Sequence, residues 1–243
     1  IRMAREVGYR SLEEVLESGE VPGPGTKIYA SLYGKTIVLI QLGKRPLEQG
    51  MNILGAHIDS PRLDIKQNPL FEAGDLAFMD THYYGGIKAY QWVTIPLALH
   101  GVVVKTDGTT VHVNIGDDPA DPVFCVTDLL PHLGREQMQK TGEKIIEGEA
   151  LDILCGSRPL VIAPEAAKDA AEGSLEQTAA KEPVRANVIS ILQNKYGLEE
   201  EDFLSAELEV VPAGRARSCG FDGSMVLGDW HDDRLCCFTI LLA

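Results

Sequence analysis

The polar and apolar positions of this chain fall into blocks that change character twice. Leu12-Glu13-Glu14-Val15-Leu16-Glu17 behind Ser11 predicts a short amphipathic helix with a serine cap and acids in its first turn. Gly19 and the Pro22-Gly23-Pro24-Gly25 linker stop it. Lys27 to Ser31, Lys35 to Leu42 after a Tyr33-Gly34 turn, and Met51 to Asp59 are β-branched or apolar runs. They predict central strands of a mixed α/β sheet, buried on both faces. From about residue 67 the pattern turns to short strands and frequent turns, with strands expected over 92–99, 101–105 and, after the Asp107-Gly108 turn, 110–115. A helix is predicted over 129–144, and the Ala/Glu-biased stretch 163–181 reads as a mobile loop. Order returns over 184–195 and 206–211, and a polar cluster after Gly228 leads into what should be a buried helix.

Composition narrows the class. The 243 residues are 44% hydrophobic and 24% charged, the balance of a folded domain. No apolar run approaches the roughly 20 residues that span a bilayer, so no membrane partner is expected. Acidic residues number 36 against 22 basic, and the net charge of −14 repels phosphate backbones, so nucleic acid is not expected as a partner either. The acidity is local: residues 114–209 hold 20 acidic and 8 basic side chains, a net of −12. Five cysteines, irregularly spaced and including the adjacent Cys236 and Cys237, with no C-x-x-C, are neither a disulfide framework nor a zinc ribbon. Without a secretory signal pattern, a cytoplasmic protein is expected. The common nucleotide-binding loops and internal repeats do not occur.

Two constellations carry possible chemistry. In Gly55-Ala56-His57-Ile58-Asp59-Ser60-Pro61-Arg62, a strand would put His57 and Asp59 on one face at its C-terminal end. A carboxylate near an imidazole fixes its tautomer and raises its basicity, as a metal-binding histidine needs. In Gly228-Asp229-Trp230-His231-Asp232-Asp233-Arg234, three acids precede an apolar helix. They read either as a helix N-terminus whose dipole favours anions or as a source of a carboxylate bridging two metals. His231 reads as a neighbour rather than a ligand. Asp80 to Lys88, with Tyr83, Tyr84, Gly85 and Gly86, reads as a structural turn. His100 and His112 read as ordinary sheet residues, and Glu199 to Asp202 as a solvated turn or helix start.

Taken together, residues 55–66, 84–88, 128–133, 203–214 and 231–236 resemble the zinc aminopeptidases of the aspartyl aminopeptidase and aminopeptidase I family. The resemblance covers nearly the whole chain. It implies a mixed-sheet α/β zinc exopeptidase domain, of which this chain holds the N-terminal part, with an inserted β-rich dimerisation domain. The corresponding boundaries are 1–66 for the first catalytic part, 67–220 for the insertion and 221–243 for the catalytic part resumed. The implied activity is release of N-terminal amino acids from peptides by water activated with two zinc ions per site, for which cobalt or manganese would also serve. Residue by residue, His57 matches a terminal zinc ligand, Asp59 the carboxylate that orients it, and Asp232 the carboxylate bridging both metals. Asp233 falls beside a peptide bond that is cis in such sites. The implied assembly runs from a dimer to a tetrahedral dodecamer, in which His132 would reach a neighbouring substrate site in trans.

The family's Glu-Glu pair and its later Asp and His ligands have no counterpart in these residues. The chain is therefore expected to be an N-terminal portion of a longer enzyme, inactive on its own. Two other readings stay open: a non-catalytic acidic oligomerisation module, and a related di-metal carboxypeptidase or deacylase.

Overall fold

The computed structural model describes residues 1–163, 165 and 170–242. The chain forms two compact units, one of residues 1–58 with the segment from His231 onward, the other of residues 59–230.

The first unit opens with α1 (Arg2–Glu6), β1 (Arg10–Ser11) and α2 (Leu12–Ser18). Ser11 caps α2 as its sequence predicts. Its hydroxyl accepts from the Glu14 amide at 3.1 Å, the Glu14 carboxylate accepts from the Ser11 amide at 2.9 Å, and Gly19 closes the helix at φ 65°. β1 pairs in parallel with β2 (Lys27–Leu32), and β2 in antiparallel with β3 (Thr36–Gln41). Ile28 and Tyr29 of β2 are buried, yet Ile37, Val38 and Ile40 of β3 are exposed, so this sheet is not the doubly covered one predicted. Residues 51–59 form no strand either. A strand exists only when its amides and carbonyls find a ladder partner, and among the described residues none pairs with this run.

The second unit is built on a seven-stranded antiparallel sheet. β4 (Arg62–Ala73) and β5 (Leu76–Tyr84) form its central hairpin, with the register broken between Ile65 and Leu70. β4 escaped the sequence reading because Asp64, Lys66, Gln67 and Asn68 interrupt its apolar pattern, and Asp80 to Tyr84, read as part of a turn, are the end of β5. β6 (Leu97–Val104), β7 (Thr110–Ile115), β8 (Cys125–Val126) and β9 (Ile153–Gly156) follow. Helices α3 (Leu175–Lys181) and α4 (Pro183–Ile191), a π turn over Leu192–Tyr196 and a 3-10 turn over Glu200–Ser205 lead into β10 (Ala206–Pro212). A separate hairpin, β11 (Arg217–Cys219) and β12 (Met225–Leu227), ends the unit.

The strand order is β7-β6-β10-β4-β5-β9-β8, so β10 lies between strands made long before it. Gly101 on β6 makes that fit possible: at φ +144° it lies opposite β10, where any Cβ would overlap the Glu207 carbonyl. Leu63, Leu97, Val103, Leu151, Ile153 and Val210 are fully buried, with Val184, Val188 and Phe203 packed on the same core.

Several expectations for this unit are corrected. β6 begins at Leu97 rather than Trp92, since Thr94 takes a positive φ of 61° and Pro96 lacks an amide hydrogen. The helix expected over 129–144 is a series of turns with one 3-10 turn at Gln137–Gln139; Pro131, Gly134 and Gly142 account for it. Within 163–181, Pro164 and residues 166–169 lie outside the described residues, and α3 replaces the predicted loop over Leu175–Lys181 only. Ser174 caps that helix and Ala179 is buried. In the acid run, Asp202 is buried rather than solvated, and accepts from the Glu199 amide at 2.8 Å.

Back in the first unit, α5 (His231–Leu242) is exposed along Leu235, Phe238 and Leu242, where burial was expected. Among the described residues no helix is long and apolar enough to cross a membrane.

Candidate metal centre

His57 lies in the irregular stretch before Pro61, and Asp232 at the start of α5. Although remote in sequence, they meet: His57 Nε2 is 3.3 Å from Asp232 Oδ1. Cys237 Sγ, one helical turn further on, donates to the His57 carbonyl at 3.1 Å and ties the stretch to the helix. Asp232 and Asp233 have non-helical backbone angles and the bond between them is cis, as the resemblance implies. The regular helix therefore starts only after Asp233. The Asp233 carboxylate, hydrogen-bonded to Cys236, pushes that thiol above its ordinary pKa. His231 is exposed beside the pair.

In the other unit, Asp59 Oδ2 accepts a hydrogen bond from the Tyr84 hydroxyl at 2.9 Å, and this acceptor raises the phenol's pKa. His132 lies in the 129–140 turns, exposed among Leu129, Leu130 and Leu133. His82 pairs with Glu149 at 2.8 Å and His100 with Asp117 at 3.5 Å; these are sheet-surface contacts. Sequence reasoning singled out His57 and Asp232 but not their contact, which depends on how α5 docks. It also read Tyr84 as part of a turn only, because nothing in a Tyr-Gly-Gly run reports where the hydroxyl points.

The His57–Asp232 pair fits zinc. Imidazole nitrogen and carboxylate oxygen are both zinc donors, and two donors each about 2.0–2.1 Å from one tetrahedral ion stand roughly 3.3 Å apart. Among the described residues, no third His, Cys, Asp or Glu joins them to complete a site.

The class is defined by the chain as a whole, which matches the zinc metalloproteases. Residues 2–243 match the aminopeptidase I zinc metalloprotease (M18) family, and the chain belongs to it. It is 54% identical over 239 residues to a probable M18 family aminopeptidase 1 of Clostridium acetobutylicum, covering 98% of this chain and 48% of the relative. The crystal structure of aminopeptidase I from the same organism superimposes with a TM-score of 0.83 at 52% identity, covering 99% of this chain and 50% of that one. The S. cerevisiae mApe1 dodecamer, at 16% identity and a TM-score of 0.60, covers 96% of this chain and 47% of its own, and shares the fold alone. The chain thus spans about half the length of the curated relatives it matches.

Proposed function

We propose that the protein acts as a metalloaminopeptidase, releasing single amino acids from peptide N-termini at a centre of two zinc ions, with cobalt or manganese as possible substitutes. The observation that carries this reading is the 3.3 Å approach of His57 Nε2 to Asp232 Oδ1 in a chain of the M18 family. Zinc, when bound, polarises the scissile carbonyl and lowers the pKa of water toward neutrality. His57 supplies a neutral nitrogen donor, and Asp232 an anionic oxygen able to serve both ions. Asp59 takes the part of the orienting carboxylate that the resemblance implies. The remaining ligands and the general base come from residues outside these 243, since two donors fall short of the three or four of a zinc site.

The 59–230 unit fits an inserted dimerisation domain, for which the boundaries 67–220 were expected. Leu129, Leu130, Leu133 and Met138 are exposed around His132. Such a patch suits contact with a second copy, from a dimer up to a tetrahedral dodecamer, with His132 serving the neighbour's substrate.

The test uses the full-length protein. His57→Ala and Asp232→Ala are each expected to lose bound zinc and to abolish hydrolysis of aminoacyl anilides with free N-termini, while the wild type leaves N-blocked substrates intact. Retention of both zinc and turnover by the two variants would sink the proposal. Cleavage of the blocked substrates would redirect it to a deacylase.

A further inference from the structure

Within the 59–230 unit a cavity of about 430 Å³ lies between the seven-stranded sheet and helix α4. Met79, Leu99, Val113, Ile115 and Leu208, from four strands, form its floor. Val188 and Ile191 of α4, with Leu192 and Tyr196 of the π turn, form its roof. Two features of the sequence keep the space open. Leu208 and Val113 both lie opposite Gly101 in the ladder, so no side chain fills the row between them. Above them α4 passes into the π turn over Leu192–Tyr196, a conformation that is rare and concentrated at functional sites. The helix is packed closely elsewhere: at Gly156 of β9 an added Cβ would stand 2.6 Å from Val188 Cγ2.

The chemistry of the walls limits what can enter. No charged side chain is found among the described residues that line the cavity, and the polar side chains there are those of Cys125, Cys155, Ser157 and Tyr196. Burial pushes the Cys155 thiol up to about 12, as in an environment hostile to charge. Among the described residues, the buried side-chain atoms without a partner are Ser60 Oγ and Asp152 Oδ1, and neither belongs to these walls. The site therefore holds few groups that would retain ordered water. Core voids in proteins seldom exceed a water molecule, whereas small-molecule pockets occupy roughly 300–1,000 Å³. Val123, Ser157 and Ile191 line the cavity and are exposed, which gives it a way in from solvent. The net charge of −12 over residues 114–209 opposes an anionic head group at that entrance.

We propose that this cavity is a binding site for an uncharged, hydrocarbon-rich small molecule, held between the sheet and the α4–π-turn roof. The site is built wholly from residues of the 59–230 unit and does not depend on the metal-site reading. Its walls supply area and shape rather than hydrogen bonds, so affinity follows the apolar surface that the ligand buries.

The experiment titrates straight-chain alcohols, from hexanol to decanol, into the full-length protein and follows binding by calorimetry. One-to-one saturable binding is expected, strengthening about 4-fold per added methylene until the chain outgrows the cavity, where the gain stops. Octanoate is expected to bind more weakly than octanol. Ile191→Trp and Ser157→Leu, each placing bulk at the entrance, are expected to lower octanol affinity about 10-fold and to leave the ligand-free Tm unchanged. A crystal structure of the full-length protein with octanol locates the chain directly, whatever the variants do to folding; it is expected against Leu99, Val113 and Leu208. Absence of saturable binding, octanoate binding as tightly as octanol, or full affinity in both variants overturns the proposal. So does octanol seated elsewhere, or a cavity filled by side chains of a second copy.

Discussion

Asp152 sits where a carboxylate is poorly served as an anion. Its Oδ1 is buried without a donor, and the neighbouring Asp80 is itself paired with Lys66 at 2.8 Å. Burial, and then the charge and hydrogen bonding of Asp80, raise the Asp152 pKa, against the smaller pull of the Thr81 amide and Lys66. The other charges at this corner are Glu149, 3.7 Å from Lys66, and His82, paired with Glu149. Because the folded-state pKa is raised, the stabilisation tied to Asp152 is complete below the ordinary carboxylate pKa of about 4 and is lost as pH rises through the shifted value. Asp152→Asn is therefore expected to melt higher than wild type at neutral pH, with the gap closing toward about pH 4. Thermal melts across that range check it, and a gap independent of pH would contradict the assignment. Nothing in Leu151-Asp152-Ile153 betrays this partner. His57 and Asp232 were legible as candidates because donor type and spacing are sequence properties, whereas Asp80 beside Asp152, or Tyr84 beside Asp59, is a matter of register.

The same divide separates the elements. Helix α2 could be read off the chain because Ser11, Glu14 and Gly19 act on one another locally. Residues 51–59 could not, because their hydrophobicity does not say whether a ladder partner lies alongside. Helix α4 shows a distant contact anchoring an otherwise ordinary element. Pro183 starts it, and the Glu72 carboxylate from β4 accepts from the amides of Val184 and Arg185 at 2.8 and 2.9 Å. Arg185 returns the link by donating to the Leu70 carbonyl at 3.1 Å, while pairing with Glu182 and Glu200. Glu72→Ala removes a charged cap and strands two amides, and is expected to cost about 1–3 kcal/mol. Denaturant titration measures it; a change within roughly 0.5 kcal/mol, the scatter of surface substitutions, would show that water replaces the carboxylate.

For the molecule as a whole, the distribution of apolar surface matters more than its amount. The 59–230 unit closes its own core, while the first unit presents Ile37, Val38 and Ile40 on β3, Met51, Ile53 and Leu54, and Leu235, Phe238 and Leu242 on α5. Exposed apolar side chains in this number seek a cover. The 243-residue chain made alone is expected to self-associate and to bind a hydrophobic dye, and the full-length protein to do so far less. Light scattering and dye fluorescence on both decide it, and a monodisperse, dye-silent 243-residue monomer would contradict it. The net charge of −14 does little to prevent association, because most of it lies in residues 114–209, within the other unit. The position of β10 also bears on how the protein is made. It is the last strand of the seven-stranded sheet to leave the ribosome, yet it fills the gap between β6 and β4. Until residue 212 has emerged, those two strands each present an unpaired edge to the crowded cell. The β4–β5 and β6–β7 hairpins can pair behind the moving chain, but the two halves of the sheet join only when β10 closes between them in one late, long-range event.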